Sequence, residues 1–214
     1  MSRSRSELLL DAAISVVAES GLRGLTHRAV DARAEVPSGS TSYYFRTRAA
    51  LLHGLLGRLL DLDERDTTRL GEAQPDATEQ DRAEPPEPPT SPDLDTLTDA
   101  WTRLFQYWLG PGRERLRARY ALYLEGRHHP ELREMLDTAS ARIVAGAEQF
   151  LTAVGAPAPE RDAPFLIALL DGILYDQVIR ADPPADGAEL RRRIEVVLRA
   201  VWRPAPPEAE SAVE

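Results

Sequence analysis

Apolar residues recur along this chain at intervals of three and four, and almost nowhere at intervals of two. Leu9, Ala13 and Val17 stand four apart, with Leu8, Ala12 and Val16 beside them. Leu51, Leu52, Leu55, Leu56, Leu59 and Leu60 repeat the pattern, as do Leu94, Leu97, Trp101, Leu104, Phe105 and Trp108. A helix turns once in about 3.6 residues, so this spacing collects apolar side chains on one face; a half-buried strand needs strict alternation. The expectation is an all-α fold without internal repeats.

Punctuation sets the helix ends. A first helix runs from about Ser4 to Ser20, stopped by Gly21 and Gly24. Thr26 suits the N-cap of a short helix over His27–Ala34, since its hydroxyl can accept from a free backbone N–H. Glu35-Val36-Pro37 connects it to a third short helix at Ser38–Tyr44, and a fourth carries the leucine series to about Leu70. Five more follow: Leu94 to Trp108, Leu116 to Gly126, Pro130 to Gly155, Phe165 to Ile179, and Leu190 to Trp202.

The segment 71–93 holds six prolines, seven acids and no large apolar side chain. It cannot bury enough surface to offset its ordering entropy and is expected to be a solvated linker. The expected organisation is a helical head over 1–47, a connecting helix over 48–70, the acidic loop 71–93, a larger helical domain over 94–204 and a disordered tail over 205–214.

Several function classes are excluded or weakened by composition. The chain has no cysteine, which removes disulfides, thiolate metal sites and cysteine nucleophiles together. Glu7 and Asp11 interrupt the first apolar run, so it reads as an amphipathic helix and not as a signal peptide. The longest apolar stretches fall far short of a bilayer span, and a cytoplasmic protein without membrane contact is expected. Net charge is −9, yet residues 1–58 hold eight arginines against five acids, while residues 59–100 hold three against thirteen. A basic head on an acidic body is compatible with a nucleic-acid partner.

Residues 26–45, THRAVDARAEVPSGSTSYYF, place two short helices around a turn, the layout of a helix-turn-helix. In the second helix Ser38, Gly39, Ser40, Thr41 and Ser42 are small and polar, and Tyr43 and Tyr44 follow. Such a helix gains little from packing and has poor intrinsic propensity. Small side chains do let a helix N-terminus approach bases and phosphates closely, where its free N–H groups favour an anion. Hydroxyls can bind phosphate, and Arg28 can read guanine in the major groove. A polar surface turn anchored only by Phe45 fits the same residues, and these observations alone leave both readings open.

The order of residues then resembles a known family. Gly21-Leu22-Arg23-Gly24-Leu25-Thr26, Ala29-Val30, Ala34, Val36, Gly39, Tyr44-Phe45, Arg48 and Leu51-Leu52, with the helix before them, look like the N-terminal domain of tetracycline-repressor (TetR) regulators over about residues 6–58. The resemblance implies a three-helix DNA-binding domain, a linking helix, a C-terminal ligand-binding and dimerisation domain, and a homodimer on a near-palindromic operator. It implies a ligand-released repressor. Phe45 matches the family's core aromatic and Gly39 its small residue inside the recognition helix. Thr26 and Arg48 match phosphate contacts, while Arg28, Ser38, Ser40 and Tyr43 stand at base-reading positions; His27, Gly39, Thr41, Ser42 and Tyr44 complete the set of expected DNA contacts. Thr41 replaces an aliphatic residue and Ser42 a tyrosine, so Tyr43 or Tyr44 is open to take that phosphate contact.

The same resemblance implies a pocket among the middle helices. Six of the chain's aromatic residues fall within 101–123, and Trp101, Phe105, Trp108, Tyr120 and Tyr123 are candidate walls for an aromatic or apolar small molecule. Glu125, His128, Asp171 and Tyr175 are candidate polar groups. The last two helices resemble the family's dimerising pair, with Phe165, Leu169, Leu170 and Ile173 on one and Leu190, Ile194, Val197 and Val201 on the other. No cofactor or metal site is expected. Glu125-Gly-Arg-His128 has the Glu-x-x-His spacing of di-iron bundles, but such sites need two copies and further carboxylates, and only one copy occurs. The remaining alternatives are a helical binding or interaction protein without DNA, and, last, a helical enzyme.

Overall fold

The computed structural model describes residues 4–72, 93–126 and 130–202, and among these every regular element is helical. The helices are α1 (Arg5–Gly24), α2 (His27–Arg33), α3 (Ser40–Tyr44), α4 (Arg48–Glu72), α5 (Leu94–Leu109), α6 (Arg113–Gly126), α7 (Pro130–Ala153), α8 (Pro159–Tyr175) and α9 (Gly187–Val201). One turn of π-helix, Asp176–Arg180, continues α8. Most of the loop expected at 71–93, the tail at 205–214 and His128 lie outside the described residues. No helix among those described is long and apolar enough to cross a membrane.

Local chemistry accounts for the helix starts. Ser4 and Glu7 form a capping box, each side chain accepting from the other's backbone N–H at 3.2 and 2.9 Å. Those hydrogen bonds to Ser4, with the Arg58 charge, hold the Glu7 carboxyl below its ordinary value. Thr26, Thr47, Asp93 and Asp186 cap α2, α4, α5 and α9, accepting from backbone N–H groups at 2.7–3.1 Å. The acids that interrupt the first apolar run have a partner in the fold: buried Arg58 of α4 donates to Glu7 and Asp11 at 2.8–3.2 Å.

Three boundaries differ from the periodicity. α1 passes through Gly21, whose φ of 64° breaks it into two helical pieces instead of ending it. α3 begins at Ser40, not Ser38. α8 starts at Pro159, a first position where the missing N–H costs nothing, and runs on through Pro164, which has no N–H to donate back to the Glu160 carbonyl.

Two apolar cores result. The first joins Leu9, Ile14, Val17, Leu25 and Val30 of the head to Leu51, Leu55 and Leu59 of α4, and extends to Leu122 of α6 and Leu132 and Leu136 of α7. The second gathers Phe105, Trp108, Leu151, Leu166, Leu174, Ile194, Leu198 and Trp202 from α5, α7, α8 and α9. α4 therefore belongs to the head by its first half and reaches the body by its second.

Candidate functional site

In the head, α2 and α3 are joined by a turn with two left-handed residues, Glu35 and Gly39. α2 ends in a Schellman motif: Val36 N–H donates to the Asp31 carbonyl at 3.0 Å and Glu35 N–H to the Ala32 carbonyl at 3.3 Å. Glu35 occupies the left-handed position with φ of 53°, where glycine is usual. The second sharp point is Gly39, at φ of 93°. It is the N-cap of α3, so the expectation that it sits inside the recognition helix is corrected. A Cβ there would meet nothing within 4 Å, so the requirement for glycine comes from the backbone angle.

A glycine N-cap has no side chain to satisfy the first N–H groups of its helix. Asp31 of α2 does this instead. Its carboxylate accepts from Gly39 N–H at 2.7 Å, from Thr41 N–H at 2.7 Å and from the Thr41 hydroxyl at 2.5 Å. Burial pushes the Asp31 carboxyl up, but the bonds from Thr41 and Gly39, with His27 nearby, outweigh it and hold it below its ordinary value. Thr41 is fully buried by this tie. Its expected DNA contact is therefore corrected: the hydroxyl is spent inside the head.

Other expected contacts divide in the same way. His27 Nε2 donates to the Phe45 carbonyl at 2.6 Å, closing α2 onto the end of α3. The Arg48 guanidinium donates to the Leu22 carbonyl at 2.6 Å and to the Leu25 carbonyl, tying the start of α4 to the end of α1. The Ser40 hydroxyl donates to the Pro37 carbonyl at 2.6 Å. Phe45 packs on the first core, its ring so near Gly54 that a Cβ there would approach to 2.8 Å. Thr26, Arg28, Ser38, Ser42, Tyr43 and Tyr44 remain exposed, Tyr43 at 78%. The Tyr43 and Tyr44 rings meet edge to face at 5.1 Å.

Behind the head a cavity of about 330 Å³ opens between α4, α5, α6, α7 and α8. Trp101, Phe105, Trp108, Tyr123 and Asp171 line it as expected. Three other expected lining residues do not. Tyr120 turns its ring onto Tyr175, edge to face at 5.3 Å, so both pack beside the cavity, and Glu125 lies outside it. The aromatic wall gains Phe150, which meets Trp101 edge to face at 5.7 Å.

The polar wall, and an ion network behind it that spacing did not disclose, link α4, α6 and α8. Arg119 donates to Asp63 at 2.8 Å and Asp171 at 3.4 Å; Arg115 donates to Asp66 at 2.6 Å, which also accepts from Trp108 Nε1 at 3.0 Å. Burial opposes the charge of Arg119, but Asp63 and Asp171 more than offset this and raise its affinity for the proton. Burial likewise pushes the Asp63 carboxyl up against the pull of Arg119 and Arg115.

The last two helices present a narrower exposed strip than expected. Phe165, Tyr175 and Ile179 on α8 and its π-turn, with Val196 on α9, are 36–57% exposed. Leu170, Leu190, Ile194, Val197 and Val201 are instead buried in their own subunit's second core, which corrects their assignment to an interface. Leu169 and Ile173 are partly buried against the same core.

Comparison with known proteins agrees with this arrangement. Residues 92–204, more than half of the chain, match the family described as the tetracyclin repressor-like C-terminal domain, and residues 9–55 match the bacterial regulatory proteins of the tetR family. The chain belongs to the TetR family. It is thus a transcriptional regulator with a helix-turn-helix head, in a family whose members are regulators and not, in general, enzymes. The TetR-family signature spans α1 to the start of α4, the region closed by Asp31, His27 and Arg48.

Among its relatives is the HTH-type transcriptional regulator BetI of Paraburkholderia xenovorans, 26% identical over 193 residues, covering 89% of this chain and 90% of that protein. A TetR-family member from Streptomyces coelicolor A3 is 29% identical, covering 94% of this chain and all of that one, with a TM-score of 0.65. The multidrug binding protein EbrR, complexed with malachite green, is 30% identical over 94% of this chain and all of that one, with a TM-score of 0.62. EbrR is also solved with ethidium and with proflavin.

Of the residues that organise this TetR head, Asp31 was legible only indirectly. A helix opening on Ser-Gly-Ser lacks a capping side chain of its own, so an acid one helix earlier is the signal to seek.

Proposed function

We propose that this TetR-family regulator is a homodimeric repressor, acting in the cytoplasm, that leaves a near-palindromic operator when a small aromatic molecule enters the cavity. The carrying observation is the double attachment of α4. Its start holds the head through Arg48 and the carbonyls of Leu22 and Leu25, while Leu60, Asp63, Glu64 and Thr67 near its other end line the cavity. A ligand that favours one position of α4 shifts the population of head orientations, which is what release requires.

At the DNA, Arg28, Ser38, Ser42, Tyr43 and Tyr44 are the exposed contacts, with Thr26 and Ser40 at the margins. Arg28 reads a base edge, and the tyrosine hydroxyls hold phosphates. The exposed strip of Phe165, Tyr175, Ile179 and Val196 joins two copies, setting the heads on half-sites about 34–36 Å apart or a small multiple of this. EbrR's complexes with ethidium, proflavin and malachite green support an aromatic occupant here, since Trp101, Phe105, Trp108 and Phe150 offer ring faces of the same kind.

The test is selection of bound DNA from the source genome with purified protein, followed by anisotropy titration of the enriched site. The expected result is salt-sensitive binding to an inverted repeat, lost on adding a suitable aromatic molecule. No salt-sensitive binding to any duplex would leave a helical binding protein without DNA as the better reading.

A further inference from the structure

The cavity carries a charge that its own arginines do not cancel. Among the described residues its lining holds three carboxylates, Asp63, Glu64 and Asp171, against two guanidinium groups, Arg119 and Arg142. Following the ion network outward leaves the balance unchanged, because it adds Asp66 and Arg115 as a pair at 2.6 Å. One negative charge is left over.

Distances assign that charge to Asp171. Glu64 and Arg142 pair with each other at 2.5 Å, both side chains more than half exposed. Asp63 takes Arg119 at 2.8 Å and has Arg115 at 3.9 Å. Asp171 is left with the other outer nitrogen of Arg119 at 3.4 Å and the Tyr120 hydroxyl at 3.5 Å, both on Oδ1. Its Oδ2 has no hydrogen-bond partner among the described residues. The Asp171 side chain is also 48% exposed, against 17% for Asp63. The surplus thus falls on an accessible carboxylate of the lining.

The remaining walls are mainly apolar, with Trp101, Phe105, Trp108 and Phe150 among them. A ligand that fills the space displaces solvent from Asp171. A neutral or anionic occupant would leave the carboxylate with neither water nor a full counter-charge, whereas a cation pairs with it. Aromatic faces add to the same preference, since their quadrupole attracts positive charge. Arg119 already lies over the Trp108 ring at 5.9 Å.

We propose that the cavity selects an aromatic molecule bearing a single positive charge, with Asp171 as its counter-ion. This rests on the reading of the cavity as the inducer site. The aromatic walls hold the rings, and Asp171 fixes which edge of the molecule points toward α8.

Equilibrium dialysis of the full-length protein against three two-ring probes of similar size tests this: cationic N-methylquinolinium, neutral 1-methylnaphthalene and anionic 1-naphthoate. Methylquinolinium is expected to bind about ten-fold more tightly than naphthoate, the scale of one charge contact in a partly exposed site. Asp171→Asn keeps the side-chain shape and removes the charge. It should weaken methylquinolinium at least about five-fold while leaving methylnaphthalene within a factor of about two. Equal binding of methylquinolinium and naphthoate, or tighter binding of naphthoate, overturns the cation assignment and leaves the inducer cavity standing. Unchanged methylquinolinium affinity in a folded Asp171→Asn variant overturns the role of Asp171, as does an equal loss of the cationic and neutral probes. Should that variant unfold, the wild-type comparison decides alone. Binding of none of the three overturns both the assignment and the cavity's inducer role.

Discussion

The carboxylate of Asp31 on α2 accepts both the backbone N–H and the hydroxyl of Thr41 on α3, at 2.7 and 2.5 Å. This pair, with Gly39 N–H as third donor, fixes the five-residue recognition helix to α2. An isolated helix of that length does not form in water, because nucleation is costly and too few bonds follow it. Asp31→Asn would turn an amide N–H toward one of the donors. Loss of about 1–3 kcal/mol in denaturant unfolding is expected, together with weaker operator binding by anisotropy. Unchanged values in both would show that α3 is held by packing alone.

The same tie sets a pH dependence. Asp31 is held below its ordinary value of 3.8, so the folded state binds its proton less readily than the unfolded chain. Its contribution is complete above that ordinary value and fades as pH falls through the lower folded value. As pH falls below about 4 the wild type should lose stability more steeply than Asp31→Asn, measured by urea midpoints along the series.

Glu35 closes the Schellman motif in a left-handed conformation that a side chain disfavours. Glu35→Gly should therefore raise stability by about 1 kcal/mol, since glycine adopts that region without the Cβ clash. Thermal unfolding reads the change, and a lowered midpoint would place Glu35 in interactions of its own.

Arg28 and Arg48 should separate in a binding-site screen. Arg48 holds α4 to the carbonyls of Leu22 and Leu25, so Arg48→Ala should lower stability and weaken binding evenly across sequences. Arg28 is exposed on α2, and Arg28→Ala should relax preference at one base position while leaving the melting temperature nearly unchanged. Unaltered selectivity would remove Arg28 from base reading.

At the far end of the body, exposed and buried apolar residues of the last two helices should behave oppositely. Ile179→Asp, at a position 50% exposed, should yield a folded monomer in sedimentation experiments. Ile194→Ala, at a fully buried position, should cost about 2–5 kcal/mol of stability whether or not the dimer persists. A dimer that survives Ile179→Asp would move the interface elsewhere.

The helical class, the number and order of helices, and the head's resemblance to its family are written into local sequence. Apolar spacing, capping residues such as Thr26 and Asp186, and the small polar run at 38–42 act over a turn or two, where neighbours in sequence are neighbours in space. What the periodicity could not settle was which way each apolar residue of α8 and α9 faces. Both helices carry apolar side chains on more than one side, and only packing against α5 and α7 decides that Ile194 turns in and Val196 turns out.

The small polar helix shows the same division most sharply. Its sequence by itself determined that α3 would be short, poor in apolar anchors and rich in hydroxyls. Only the tertiary structure decided that Thr41 would spend its hydroxyl on Asp31 while Tyr43 faces solvent, and that Trp101 and Arg119 would share one cavity. Those outcomes join residues ten to eighteen positions apart, and hydrogen-bond satisfaction between helices, unlike periodicity within one, leaves no mark in local spacing.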